Sequence, residues 1–152
     1  MFSQTVEYAL RAMTFLGSRP GHATTTEVIA RQTQVPAGYL AKVMRDLVVA
    51  QLVTSQRGPN GGFVLARSPD HITVLQIVNA VDPIQRIRSC PAGNPFHVKL
   101  CSLHSRLDNA MAMIEAELRA TTLAQVVSDQ SGGGLCEHLR PDAPAAGSID
   151  AA

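Results

Sequence analysis

One stretch of this sequence, residues 35–67, switches abruptly from a helical to a strand-like pattern of apolar residues. Pro36 opens it, and proline suits the first turn of a helix because its missing N–H would be unpaired there. Apolar residues then recur at the spacing of one helical face, at Leu40, Val43, Leu47 and Val48, with Ala50 close behind. Two short β-prone runs follow, 53–56 and 63–66, on either side of the turn-forming run RGPNGG. The stretch therefore predicts a helix followed at once by a β-hairpin, the make-up of a winged helix-turn-helix.

The flanking residues predict the other helices of such a unit. Residues 6–16 carry a helical apolar stripe, and Thr24 and Glu27 stand at capping-box spacing before a short second helix. Residues 33–35 turn from this second helix into the helix that starts at Pro36, and the two helices with their tight turn make a helix-turn-helix. Residues 72–81 predict a further helix, which Asp82–Pro83 ends. We therefore expect a mainly α fold with a small β-hairpin wing and a DNA-binding domain over residues 1–83.

Charge is divided unevenly along the chain. Residues 1–90 hold nine Lys and Arg against five Asp and Glu, a balance of +4, whereas residues 91–152 hold four against seven, a balance of −3. The basic half carries the predicted winged helix-turn-helix, as neutralisation of DNA phosphates requires.

The second half predicts a loop, a long helix and a tail. Residues 84–101 contain the Gly/Pro-rich run 91–95, which excludes regular structure, and residues 102–128 restart as a long helix with a short one after it. Apolar residues follow the long helix at seam-like spacing: Leu103, Leu107, Ala110, Met111, Ile114 and Leu118. This stripe is longer than one small domain needs, so we expect the helix to pair with its copy in a symmetric homodimer. Residues 129–152 are Gly-, Ala- and Pro-rich and are expected to be mobile.

Several classes of protein are disfavoured by the sequence. It contains no apolar run long enough for a membrane span and no signal-peptide pattern at its start, so we expect a cytoplasmic protein that does not contact membranes. Its three cysteines are then thiols or metal ligands rather than a disulfide framework. Gly-rich nucleotide loops, nucleophile elbows and metalloprotease helix motifs are also missing, and we expect no enzyme.

Five segments together resemble one family of bacterial regulators. They are TVEYALRAM, PAGYLAKVMRDLVVAQLV, the wing RGPNGGFVLAR, ITVLQIVNAVD and the cysteine loop ahead of the long helix. In these the chain resembles the IscR/NsrR-type transcription regulators over about residues 1–128. The resemblance implies a dimeric winged-helix protein that binds double-stranded DNA at a palindromic operator, and several members carry an iron–sulfur cluster.

The resemblance also assigns a DNA-binding surface. The family's reading helix corresponds to residues 36–50, which implies that Tyr39, Lys42 and Arg45 face a groove or its phosphates. The wing arginine corresponds to Arg57 and is implied to reach a minor groove, with Asn60 and Gly61 at the wing tip. For an isolated helix, Lys42 and Arg45 would simply form a solvated face; the wing directly behind them favours DNA contact.

The cysteine loop is the implied sensor. Family members with a cluster commonly present three cysteines there, whereas this chain has Cys90 and Cys101 with none between them. A [2Fe–2S] cluster would need two further ligands, and the candidates implied by the family or the loop are His104, His97 and Glu7. The expected function is thus a transcriptional regulator whose operator affinity is set by an iron–sulfur cluster, in response to redox state, nitric oxide or iron–sulfur status. The alternative is a cluster-free winged-helix regulator switched by thiol oxidation or a protein partner. Cys136 lies in the tail and is not expected to be a ligand; tail disorder or redox chemistry is the better expectation for it.

Overall fold

The computed structural model describes residues 2–89 and 99–130, which form six α-helices and one two-stranded antiparallel hairpin. The elements are α1 (Gln4–Gly17), α2 (Thr26–Thr33), α3 (Ala37–Val49), β1 (Val53–Gln56), β2 (Gly62–Leu65), a 3-10 turn (Pro69–His71), α4 (Val74–Val81), α5 (Ser102–Ala120) and α6 (Leu123–Gln130). The expected fold class, a mainly α winged helix-turn-helix with a long helix behind it, is confirmed. The tail and most of the cysteine loop, residues 90–98 and 131–152, lie outside the described residues.

The core of the winged unit lies between α1, α2, α3 and α4. Its members are apolar and nearly inaccessible to solvent, among them Ala9, Met13, Phe15, Leu16, Ile29, Leu40, Val43, Met44, Leu47, Leu52 and Ile77. The face of α3 that the sequence predicts is therefore the buried one, with two differences. Met44 is buried although the predicted stripe omits it, and Ala50 is exposed because it lies just beyond the end of α3.

Two helix starts differ from the expectation. The cap of α2 is Thr25, whose hydroxyl accepts from Val28 N at 3.4 Å, so the expected capping box between Thr24 and Glu27 is wrong. The helix expected over residues 72–81 begins only at Val74, because Thr73 and Gln76 form a reciprocal capping box that leaves Ile72 extended.

The hairpin pairs Val53 with Leu65 and Gln56 with Gly62, so its second strand lies one residue earlier than predicted. Two backbone hydrogen bonds between Thr24 and Phe63 hold the hairpin in its position on the winged unit. The Thr24 backbone N–H donates to Phe63 O at 2.9 Å, and Phe63 N–H donates to Thr24 O at 2.8 Å. The wing is thus bonded to the segment that leads into α2.

After α5, the chain returns to the winged unit through α6. Leu123 is buried in the core, and its N–H donates to Ile72 O at 2.8 Å. Val127 lies against α1 so closely that a Cβ on Gly17 would stand 3.0 Å from its Cγ2. The short helix that the sequence groups with α5 therefore packs on residues 1–83. Of the helices in the described part of the chain, none is long and apolar enough to span a membrane.

Candidate nucleic-acid interface and sensor site

The outer face of α3 presents the three side chains that the family resemblance assigns to DNA. Tyr39 is 63% exposed, and Lys42 and Arg45 are exposed as well. Lys42 Nζ donates to Asp46 Oδ2 at 3.2 Å, one helical turn away. The Lys42 ammonium has two further N–H donors, so it can contact a phosphate while it remains near Asp46.

Tyr39 makes a contact that no pattern in the sequence predicts. Its ring lies against that of Tyr8 on α1, with the centroids 6.1 Å apart and the planes at 55°. The start of α3 is thereby packed onto α1. Contacts between residues so distant in the chain leave no periodic signal that sequence reasoning could use.

The wing tip is a tight glycine turn with exposed polar side chains. Arg57 and Asn60 are exposed, and Gly61 N–H donates to Gly58 O at 2.9 Å. A Cβ on Gly61 would stand 2.5 Å from Gln56 O, so the turn requires glycine there. Gly61 therefore closes the turn, and the exposed side chains of Arg57 and Asn60 project from it.

Cys101 and His104 are brought together at the start of α5. Cys101 is the N-cap residue, and its Sγ lies 3.1 Å from His104 Nδ1; which of the two donates depends on the imidazole tautomer. The Cys101 side chain makes no capping hydrogen bond to the helix and is half-buried. A thiol and an imidazole nitrogen therefore converge on one side of the helix N-terminus.

The other candidate ligands are not joined to this pair within the described residues. Glu7 Oε1 accepts from Arg11 Nε at 2.9 Å, one helical turn away, and Arg11 Nη1 donates to Thr33 O at 3.5 Å. Across residues 2–89 and 99–130, no group of three or more His, Cys, Asp or Glu side chains is placed to hold a metal ion. Cys90, His97 and Cys136 lie outside the described residues.

A cluster of three charged residues joins the segment after α4 to α5. Arg86 donates through Nε and Nη2 to the two carboxylate oxygens of Asp108, at 2.7 and 2.6 Å, and through Nη1 to Glu115 Oε2 at 3.0 Å. Hydrogen bonds from Arg86 hold the pKa of the Asp108 carboxyl below its ordinary value, and the two carboxylates raise the pKa of Arg86. Sequence reasoning missed this cluster because Arg86 lies 22 residues from Asp108 and 29 from Glu115.

The face of α5 that carries the predicted dimer stripe is open to solvent. Leu103 is 61% exposed and Ile114 46%, and Leu107 and Ala110 between them are also exposed. Met111 and Leu118 are half-buried, and Leu118 packs against Val6, Val74 and Val78. No residue of α5 is fully buried. The helix thus has one flank on the winged unit and an apolar face that no residue of the described segments 2–89 and 99–130 covers.

Comparison with known proteins gives one family. The model of the Rrf2 family, described as an iron-dependent transcriptional regulator, matches residues 2–129. A relative from Aquifex aeolicus (strain VF5), named "Putative HTH-type transcriptional regulator", is 31% identical over 145 residues, which cover 93% of this chain and 97% of the relative.

Two solved structures are similar in fold and sequence. CymR, the global cysteine regulator of B. subtilis, is 27% identical with a TM-score of 0.72, and the match covers 85% of this chain and 97% of CymR. IscR of T. potens is 25% identical with a TM-score of 0.74, and the match covers 89% of this chain and 91% of IscR. The relatives are regulators rather than enzymes, in agreement with the expectation from the sequence.

Proposed function

This chain belongs to the Rrf2 family of transcriptional regulators, and we propose that it is a homodimeric DNA-binding regulator whose operator affinity is set by an iron–sulfur cluster. The observation that carries the sensing half of the proposal is the convergence of Cys101 Sγ and His104 Nδ1, 3.1 Å apart, at the start of α5. The same helix carries the apolar face proposed for the dimer, so sensor and assembly share one element.

DNA is bound by α3 and the wing. The exposed Tyr39, Lys42 and Arg45 enter or flank a major groove, while Arg57 and Asn60 at the wing tip approach the neighbouring backbone or minor groove. Gly61 acts here by closing the turn that holds the other two. Two copies of this surface, related by the two-fold axis of a dimer, read a palindromic operator.

The proposed ligands include a pair that suits iron–sulfur chemistry. Thiolate sulfur and imidazole nitrogen are both established cluster ligands, and imidazole ligation raises the reduction potential relative to an all-thiolate cluster. Cys101 and His104 supply one of each, and Cys90 is proposed as the second thiolate. His97 from the loop and Glu7 from α1 remain alternatives for the last position, and Glu7 would have to give up Arg11 to ligate. When bound, a [2Fe–2S] cluster would supply an electron-transfer centre that also reacts with oxidants and nitric oxide.

Anaerobic purification tests the cofactor directly. We expect a coloured protein with visible charge-transfer bands and about two irons per chain. Cys101→Ser should abolish the colour and leave the fold intact by circular dichroism, since its side chain caps nothing. Cys136→Ser is the matched control and should keep both colour and iron. A colourless, iron-free wild-type protein would rule the cluster out.

DNA affinity tests the regulatory link. An operator selected from random DNA should be bound with different affinities by the cluster-loaded and cluster-free protein, and this difference should vanish in Cys101→Ser. His104→Ala should weaken the link in the same direction, whereas the exposed His71, replaced by alanine, should not. Equal affinities of the loaded and cluster-free protein would contradict the sensing function and leave the DNA-binding function standing.

A cluster-free thiol switch is the second candidate. Two observations favour it: the loop has no cysteine between Cys90 and Cys101, and the Cys101 thiol is within hydrogen-bond distance of an imidazole at a helix N-terminus. A colourless protein whose operator affinity responds to mild oxidant in wild type, but not in Cys101→Ser, would select this function over the cluster.

A further inference from the structure

The segment of residues 84–89, here called the stem, connects α4 to the cysteine loop and is attached at two places. Its first attachment is to the winged unit. Ile84 N–H donates to Asn79 Oδ1 of α4 at 3.2 Å, and the Ile84 side chain packs against the cluster formed by Val6, Val74 and Val78. The start of the stem therefore moves with α4.

The second attachment of the stem is to α5, through Arg86 and Ile87. Arg86 grips both oxygens of Asp108 and one of Glu115, and Ile87 N–H donates to Asp108 Oδ1 at 2.9 Å. A planar guanidinium that binds a carboxylate through two parallel N–H groups fixes orientation as well as distance. The exposed fraction of the Asp108 side chain is only 17%, so the contact is partly shielded from water.

The part of α5 that receives the stem leads directly to the candidate sensor. Cys101, His104, Asp108 and Glu115 follow one another at intervals of three, four and seven residues, which places them along one face of the helix. Asp108 and Glu115, which bind Arg86, therefore lie on the same face of α5 as the proposed sensor residues at its start. Only one residue, Gln85, lies between the attachment of the stem to α4 at Ile84 and its attachment to α5 at Arg86.

We propose that Arg86 is a positioning residue that fixes α5 relative to α4. It thereby sets the spacing and angle of the two reading heads in the dimer, where a reading head is α3 and the wing of one chain. α4 packs against both α1 and α3, so a change in its angle to α5 moves the reading helix as a body. The inference rests on the proposed function, since it requires a DNA-binding dimer built on α5. It adds the contact through which a change at Cys101 would alter the spacing and angle of α3 and the wing in the two chains.

A dimer with correctly spaced heads binds a full palindrome far better than one half-site, which gives the test. We would measure dissociation constants by fluorescence anisotropy for the full operator, for a single half-site, and for an operator with one base pair inserted at its centre. The variants are Arg86→Gln and the exposed stem neighbour Arg88→Gln as matched control. We expect Arg86→Gln to keep half-site affinity and to lose about tenfold on the full operator, a change typical of one coupled contact.

Arg86→Gln should also discriminate less than wild type against the operator with the inserted base pair. Arg86→Lys keeps the positive charge but lacks the two parallel N–H groups of the guanidinium, so it should recover only part of the loss. Asp108→Asn takes the negative charge and one acceptor oxygen from the same contact, so combining it with Arg86→Gln should add little. Arg88→Gln should behave as wild type throughout.

The outcomes separate this inference from the function on which it rests. An Arg86 cluster that only stabilises the fold would lower half-site and full-site affinity together, and that result would overturn the positioning role. Wild-type spacing preference and full-site affinity in Arg86→Gln would overturn it as well, while the regulator function stood. A wild-type protein that binds no DNA in any form would remove the proposed function, and this inference with it.

Discussion

The three ion-pair sites found among the described residues differ in the type of contact that they make. Glu7–Arg11 and Lys42–Asp46 are pairs one helical turn apart with at least one well-exposed partner, and such pairs contribute little to stability. The Arg86 site instead joins two segments through three hydrogen bonds from one guanidinium. Asp108 is therefore the carboxylate in the described residues whose removal we expect to matter most for the position of a segment.

Asp108→Asn should lower the melting temperature in a pH-dependent way. The folded-state pKa of Asp108 lies below its ordinary value, so its stabilising effect is present above that value and is lost as the pH falls through the folded-state pKa. The melting temperatures of wild type and Asp108→Asn should differ most at neutral pH and converge in strong acid. Thermal melts followed by circular dichroism check this, with the surface variant Asp46→Asn as control. A difference that grew as the pH fell would contradict the role given to Asp108.

Lys42→Ala and Arg57→Ala should weaken DNA binding in different ways. Lys42, if it contacts a phosphate, acts on all sequences alike, so its loss should reduce the slope of log affinity against log salt by about one unit. Arg57 lies at the wing tip, and its loss should cost most at operators with a narrow, A·T-rich minor groove beneath the wing. Titrations at several salt concentrations separate the two effects. Unchanged binding by both variants would mean that the DNA surface lies elsewhere.

At the scale of single elements, the wing is held by contacts that its own sequence does not reveal. Val53–Gln56, the turn and the approximate second strand could be predicted because a β-hairpin is a local pattern. The pairing of Thr24 with Phe63 could not, since it joins residues far apart in the chain. The same contact explains the wrong capping prediction. Thr24 and Thr25 are chemically equivalent caps, and the wing engages the backbone of Thr24.

In the candidate site too, the sequence predicts features that lie within one helix but not contacts between distant segments. Exposure of Tyr39, Lys42 and Arg45 follows from helical periodicity, and the convergence of Cys101 with His104 follows from a spacing of three residues. Arg86 and Asp108 lie 22 residues apart, across a loop without periodicity. No local pattern brings them together. Their pairing depends on how the stem packs, which is a property of the folded chain.

Gly62→Ala should displace the wing. Gly62 has φ of 145°, a conformation that costs an L-residue strain, and an added Cβ would stand 2.5 Å from the carbonyl carbon and oxygen of Thr24. Because these neighbours are backbone atoms, β2 must move away from the segment that contains Thr24. We expect a loss of about 2 kcal/mol or more in the free energy of unfolding. Urea denaturation measures it, and operator affinity should fall because Arg57 is carried away from the groove.

Gly38→Ala is the matched control for the wing variant. Gly38 lies in the first turn of α3, and a Cβ there would have no heavy atom within 4 Å. Alanine is the better helix former, so this variant should be as stable as wild type or slightly more so. Equal stability of the two glycine variants would show that the contact between Gly62 and Thr24 does not hold the wing.

At the scale of the whole molecule, α5 leaves the winged unit and α6 returns to it. Leu123 and Val127 anchor α6 on α1, and Leu118 anchors the end of α5 near α4. The middle and the C-terminal end of the long helix are thereby fixed to the DNA-binding unit, since the stem holds Asp108 and Glu115 and α6 follows the C-terminus. A second chain packed along the free face of α5 would therefore be held at a defined angle to α3.

Ile114→Glu should convert the dimer to a monomer. Leu103, Leu107, Ala110 and Ile114 form one exposed stripe on α5, and a carboxylate at its C-terminal end would bury one unpaired charge from each chain in a symmetric interface. Asn109→Glu puts the same charge on an exposed position outside the stripe and is the control. Sedimentation velocity at micromolar concentration should show a dimer for wild type and Asn109→Glu, and a folded monomer for Ile114→Glu. The monomer should keep its half-site affinity but lose the advantage of the full operator, since one reading head supplies too few contacts. A wild-type monomer, or an Ile114→Glu dimer, would show that the exposed stripe has another use.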